Sequence, residues 1–144
     1  MLPAGKETSI FMIPNGAARP GLLATVPSQL TSGVAVIQLS SAATTTSTLP
    51  IITDSDTIID GGTQTFNIAN SNTLALNSAS TVGIDGLSVP AISGPEVQVQ
   101  PTAGLYATAP SGLRVTGTNT TIQNLAIYGF TSSTTNSTDD ANIY

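Results

Sequence analysis

Cysteine and histidine are both absent from this chain. Without thiols there is neither a disulfide framework nor a thiolate metal site. Without imidazole the commonest metal ligand and the commonest general base are gone, and a Ser–His–Asp triad is excluded. Positive charge is almost missing as well, since Lys6, Arg19 and Arg114 are the only cations. A nucleic-acid partner needs several Lys or Arg to neutralise phosphates, and a membrane surface needs a basic cluster. Three scattered cations build neither, so no nucleic-acid partner is expected. A Gly-x-x-x-x-Gly-Lys phosphate loop is missing too. No run approaches about 18 consecutive apolar residues, so no membrane span is expected.

Solubility must then come from neutral polar groups. Thr, Ser and Asn supply 48 of the 144 residues, while the net charge of −5 reflects few cations more than many carboxylates. Thr suits strands, and Ser and Asn suit turns. Strong helix formers are thin, with one Lys, two Arg, two Glu and two Met. The composition points to a single all-β domain.

Residues 1–32 are the least regular part. Pro3, Pro14, Pro20 and Pro27, with Gly5, Gly16 and Gly21, forbid long helices and keep strands short. A strand over Ile10–Ile13 and a short element over Leu22–Val26 are expected within an N-terminal cap. Lys6 and Glu7 precede an apolar run that Pro14 stops too early for a signal peptide, so an export signal is expected outside this chain. Residues 33–144 are more regular. Strands are expected at Val34–Leu39, Thr57–Asp60, Thr65–Ile68, Leu74–Leu76 and Val97–Gln100, and in the paired segments Leu113–Val115 and Ile122–Ile127. A low-complexity run, Ser40–Thr48, interrupts them.

Ile59-Asp60-Gly61 returns as Ile84-Asp85-Gly86, and Val115-Thr116-Gly117 takes a similar place further along the chain. A repeat of roughly 20 to 50 residues indicates a solenoid or propeller. Short strands with no helices between them favour a parallel β-helix, because each strand can pair with its equivalent in the next coil. The blocks Val36-Ile37-Gln38-Leu39, Leu49-Pro50-Ile51-Ile52-Thr53, Thr57-Ile58-Ile59-Asp60-Gly61, Gly112-Leu113-Arg114-Val115-Thr116-Gly117 and Thr121-Ile122-Gln123-Asn124-Leu125-Ala126-Ile127-Tyr128-Gly129-Phe130 occur in order. In this the chain resembles the N-terminal coils of bacterial right-handed parallel β-helix repeat proteins, a secreted and cell-surface group. The resemblance covers about two-thirds of the chain. It implies a scaffold that hosts lyases, hydrolases, epimerases, adhesins and phage spikes, so it does not specify an activity. It also implies further coils after Tyr144, that is, a chain truncated at its C-terminus.

Carboxylates are the chemistry to weigh. A glycosidase needs two carboxyl groups roughly 5 to 9.5 Å apart. In stacked coils Asp60 and Asp85 would occupy equivalent turns roughly 5 Å apart. They are the only catalytic candidates, and the competing account is stronger: Asp-Gly is ordinary turn chemistry. Asp54-x-Asp56 followed by Ile58 breaks calcium-loop spacing at the third ligand position. Arg114 is the only cation within the repeat region and is expected on an outward face rather than as a base that abstracts a proton. Phe66 and Phe130 are expected inside, and Tyr128 exposed. No metal or cofactor is expected.

The sequence therefore predicts an all-β, right-handed parallel β-helix with an irregular N-terminal cap. The expected role is a non-catalytic extracellular or cell-surface module, adhesive or structural, with carbohydrate or cell-surface proteins as partners. Self-association through an exposed terminal coil is a further expectation. The alternative is the N-terminal part of a carbohydrate-active lyase or hydrolase whose catalytic coils lie outside this chain.

Overall fold

A computed structural model describes residues 5–21, 26–39, 49–76, 81–84, 86–102, 111–130 and 141–143. Three parallel strands form one sheet: β1 (Glu7–Ile10), β3 (Thr57–Asp60) and β10 (Thr121–Gln123), with β3 in the centre. A second parallel sheet has β8 (Val97–Pro101) between β2 (Ala35–Leu39) and β11 (Leu125–Ile127). Three two-stranded pairs complete the described strands. β9 (Ser111–Leu113) pairs in parallel with β12 (Ala141–Ile143). The pairs β4 (Ala75–Leu76) with β7 (Ile92–Ser93), and β5 (Thr81–Val82) with β6 (Leu87–Ser88), are antiparallel. Among the described residues no helix is long and apolar enough to cross a membrane.

β8 shows why these residues make a strand. Val97, Val99 and Pro101 are buried while Gln98 and Gln100 are half-buried, the alternation of a pleated strand with one core face. Pro101 is tolerated because β11 pairs with β8 only as far as Val99, so at Pro101 the strand is flanked by β2 alone and is edge-like. Val99 packs with Phe130, and Ile37, Leu39 and Ile127 close around them. The wider core is thin: Val34, Ala35, Ile68, Val97 and Leu113 are its other buried apolar residues among those described.

The expected parallel β-helix is not what these strands build. Among the described residues the two main sheets have three strands each, and neither closes nor continues as a solenoid. Successive partners are unequally spaced along the chain. β8 pairs on one side with β2, far earlier in the sequence, and on the other with β11, which follows after less than half that separation. Coils of one length would give one spacing. Nor does the Ile-Asp-Gly echo mark equivalent rungs. Ile59 pairs with Ile122, and Val115 bridges to Ile52. Gly83, Ile84 and Gly86 lie in the loop of the antiparallel β5–β6 hairpin. Asp-Gly recurs because it serves turns in any β context, so its recurrence counts turns rather than coils. With the solenoid goes the terminal coil on which self-association was expected.

Three further expectations are corrected. Thr65–Ile68 is not a strand but part of a helix, α1 (Gly62–Ile68). Phe66 is not interior; it stands on α1 with 95% of its surface exposed. A seven-residue helix that opens on Gly and holds two Thr and one Asn has little intrinsic stability, and its N-cap Gly61 makes no side-chain cap bond. It is held instead by tertiary bonds through Thr63 and Gln64. The first strand lies at Glu7–Ile10, earlier than expected. The short element expected at Leu22–Val26 and the run Ser40–Thr48 fall outside the described residues, except Val26. Phe130 is buried and Tyr128 is exposed, as expected, although the two have the same parity and both lie beyond β11, so the chain leaves strand alternation there.

Candidate functional site

Asp60 ends β3, the central strand of its sheet, and its carboxylate sits where three elements meet. Register places Gln123 opposite Asp60. The turn between β10 and β11 passes through Asn124 at φ 55°, a left-handed conformation that Asn tolerates better than most residues. Both side chains thereby reach the same carboxylate. Asp60 Oδ1 accepts from Asn124 Nδ2 at 2.7 Å and from the Gly62 N–H at 2.8 Å, and Oδ2 accepts from Gln123 Nε2 at 2.7 Å. Beside it, the main chains are tied by Gly61 N–H donating to the Gln123 carbonyl at 3.0 Å.

These donors favour the ionised form. The Asn124 amide, then the Gln123 amide and the Gly62 N–H, lower the Asp60 pKa from its ordinary 3.8, and burial opposes them only weakly. A carboxylate held ionised by three donors is a poor general acid. The sign of the linkage is definite. Because the folded pKa lies below the unfolded one, Asp60 contributes stability that is present above the unfolded value of 3.8 and is lost as pH falls through the folded value. Acid titration of unfolding should therefore show a falling limb below pH 3.8 that flattens in Asp60→Asn. An identical acid limb in the two proteins would refute the assignment.

Asp56 repeats the pattern at the other end of β3. It lies at φ 61°, its side chain accepts from Asn119 Nδ2, and its N–H donates to the Thr118 carbonyl at 3.0 Å. Ser55 and Thr118 hydroxyls meet at 2.9 Å. An Asp–Asn pair thus fastens β10 to β3 at each end, and each pair brings a positive-φ asparagine to its acid. Asp85, the expected partner of Asp60, lies outside the described residues, as do Asp139 and Asp140. Among the described residues no three acidic side chains gather as metal ligands. Arg114 is half-buried next to β9.

Beside Asp60 is an open cavity of about 480 Å³ lined by Ile10, Met12, Thr63, Phe66 and Asn67. Its walls come from the end of β1, the segment that follows, and one side of α1. Phe66 gives it an exposed aromatic ring, and Asp60 is its one acidic group among the described residues. The segment that follows β1 is held by side chains acting as a substitute strand. Phe11 N–H donates to Thr63 Oγ1 at 2.9 Å, and Thr63 Oγ1 donates to the Asp60 carbonyl at 2.7 Å. Gln64, fully buried, accepts from Ile13 N–H at 2.7 Å and donates to the Ile13 carbonyl at 2.9 Å.

Sequence reasoning missed Gln64, Gln123, Asn124 and Glu96. Glu96 is 1% exposed, and its Oε1 accepts from Ser71 N–H at 2.6 Å and from Ser71 Oγ at 2.7 Å. It lines no part of the Asp60 cavity; together with Asn72, whose Nδ2 donates to the Pro95 carbonyl at 2.7 Å, it locks residues 70–72 against 94–96. The missed signal for Gln123-Asn124 was register: pairing Ile122 with Ile59 puts Gln123 on Asp60. No family model, no curated protein and no solved structure matches the chain.

Proposed function

We propose that this chain is a non-catalytic module that works at the cell surface or outside the cell, in an adhesive or structural role, with carbohydrate or a surface protein as its partner. The observation that carries this reading is the commitment of Asp60. Its carboxylate is tied to three donors, and no second acid is among the described residues of the cavity beside it, whereas glycoside cleavage needs two. The Thr/Ser/Asn-rich composition suits a β-dominated module whose solubility comes from neutral polar groups.

Carbohydrate is the partner class the cavity favours. An exposed ring offers a stacking face for the C–H side of a sugar, and Asp60 Oδ2, with a single donor among the described residues, retains capacity for a hydroxyl. The same cavity favours, as a second reading, a sugar-holding part of an enzyme whose catalytic groups lie outside this chain.

Titration against a panel of neutral and acidic oligosaccharides, with product analysis of each mixture, tests the sugar site that both readings share and the absence of cleavage by this chain. Binding without cleavage is expected, and it should be lost in Phe66→Ala with the fold unchanged, because the ring is exposed. Binding indifferent to Phe66→Ala would overturn the cavity assignment. Cleavage products that vanish in Asp60→Asn would overturn the non-catalytic reading.

A further inference from the structure

The chain contains nine asparagines, and Asn15 is the only one followed by glycine. We propose that Asn15-Gly16 is a site of covalent self-modification, at which Asn15 deamidates through a cyclic imide to isoaspartate and aspartate in the folded protein. The proposal is independent of the functional reading above.

Three features of the structure carry it. The Asn15 side-chain carbonyl is already engaged: Oδ1 accepts from the Ala17 N–H at 3.1 Å. That bond withdraws electron density from Cγ, the carbon to be attacked, and holds the side chain over its own following backbone, as Asx turns do. The nucleophile is available. Gly16 is exposed, carries no Cβ to block approach, and its N–H has no hydrogen-bond partner among the described residues. The backbone can also move. Gly16 lies at φ 89°, and glycine crosses between positive and negative φ with little steric penalty, so ring closure is not opposed by the conformation.

The related pair Asp60-Gly61 supplies an internal contrast. There the Gly61 N–H is bonded to the Gln123 carbonyl at 3.0 Å and is buried, while the carboxylate is held by three donors. The Gly62 bond to Asp60 matches the Ala17 bond to Asn15; what protects Asp60 is its bonded Gly61 N–H and the Gln123 and Asn124 amides that pin an ionised carboxylate.

The chemistry balances without a cofactor. Solvent base removes the Gly16 amide proton, and the nitrogen attacks Asn15 Cγ. The bond from Cγ to the side-chain nitrogen then breaks, and that nitrogen leaves as ammonia with a proton returned from solvent. Water adds to either carbonyl of the five-membered imide. Opening at the backbone carbonyl leaves the chain running through the side chain as isoaspartate, and opening at the other leaves aspartate. Each product adds one negative charge to an already acidic chain. Isoaspartate also lengthens the main chain just after Pro14, whose carbonyl accepts from the Gln29 N–H at 2.8 Å. The step would therefore loosen the connection between residues 14 and 29, leaving the Ile13–Gln64 bonds upstream of the altered linkage.

Peptide mapping by mass spectrometry, on the intact folded chain held in mildly alkaline buffer, tests this directly. The expected result is an amide-to-acid mass gain at Asn15 ahead of every other asparagine, resolving into isoaspartate and aspartate forms. Asn15→Gln should abolish it, since glutamine would have to close a larger ring. Amide exchange at Gln29 should speed up in the aged protein but not in Asn15→Asp, which adds the charge without the lengthened backbone. An Asn15 that survives in the folded chain while it converts in the urea-unfolded chain would overturn the proposal, as would another asparagine converting first.

Discussion

Replacing Gln64 with alanine is expected to cost about 2–4 kcal/mol, a large share of what a domain of this size has to lose. Gln64 is fully buried and closes a two-bond ring with the backbone of Ile13, accepting at 2.7 Å and donating at 2.9 Å. Removing it deletes both bonds and leaves the Ile13 N–H and carbonyl without partners in a partly buried place, where each unmade bond is expensive. The effect should spread. Residues 11–13 are tied to α1 through the side chains of Thr63 and Gln64, so Met12 and the cavity wall beside Asp60 loosen with them. Urea denaturation measures the loss. Gln64→Glu, when ionised, buries a carboxylate against the Ile13 carbonyl, so at neutral pH it should cost at least as much as alanine and recover on acidification. Equal stability of Gln64→Ala and wild type would mean that the ring is not maintained in solution.

Gly33→Ala should be about as damaging, at roughly 2–4 kcal/mol, for a different reason. Gly33 lies at φ 81°, where an L side chain is strained, and a Cβ there would overlap the Ser71 carbonyl oxygen. The overlap is with backbone, which has no rotamer to yield. Ser71 cannot retreat cheaply either, since its hydroxyl donates to the Gly33 carbonyl at 2.9 Å and its N–H to buried Glu96. Gly83→Ala is the control. Gly83 has φ 75° but open space around its Cβ position, so only the backbone strain of about 1 kcal/mol should appear. Thermal or urea unfolding of the three proteins separates the two contributions. If the two variants lose the same stability, the close approach of residues 33 and 71 is not a feature of the folded chain.

Alternation alone located the strands of the second sheet. Val34–Leu39, Val97–Gln100 and the later part of Ile122–Ile127 read as strands because apolar residues recur at alternate positions, and they form β2, β8 and β11. The burial of Phe130 does not follow from that period, since Phe130 is out of phase with Leu125 and Ile127; it is set by packing on Val99. The failures have a common cause. Thr65–Ile68 carries the β-favouring residues Thr, Phe and Ile, yet it is helical because Thr63 and Gln64 reach their partners only if α1 forms. Phe66 is exposed because the helix turns its ring away from a core that its apolar character would have placed it in. The paired Ile-Asp-Gly segments looked like equivalent rungs because local turn chemistry is the same in both, while the strand partners of Ile59 are chosen by segments far away along the chain.

The candidate site divides along the same line. Asp60 was visible in sequence because Ile-Asp-Gly recurs at the end of an apolar strand. Its chemistry was not, because nothing near it in sequence announces Gln123 and Asn124. What the sequence by itself determined is what local and compositional physics can determine: a β-dominated chain without His or Cys chemistry, without the cations that nucleic acid demands, and with its main strands in place. What only the tertiary structure decided is which strands pair, at what spacing, and which amides answer which carboxylates. Strand alternation is a property of neighbours in sequence, with a period the chain itself carries. Register and hydrogen-bond partners are contests between distant segments, settled by whether each buried polar group finds a mate.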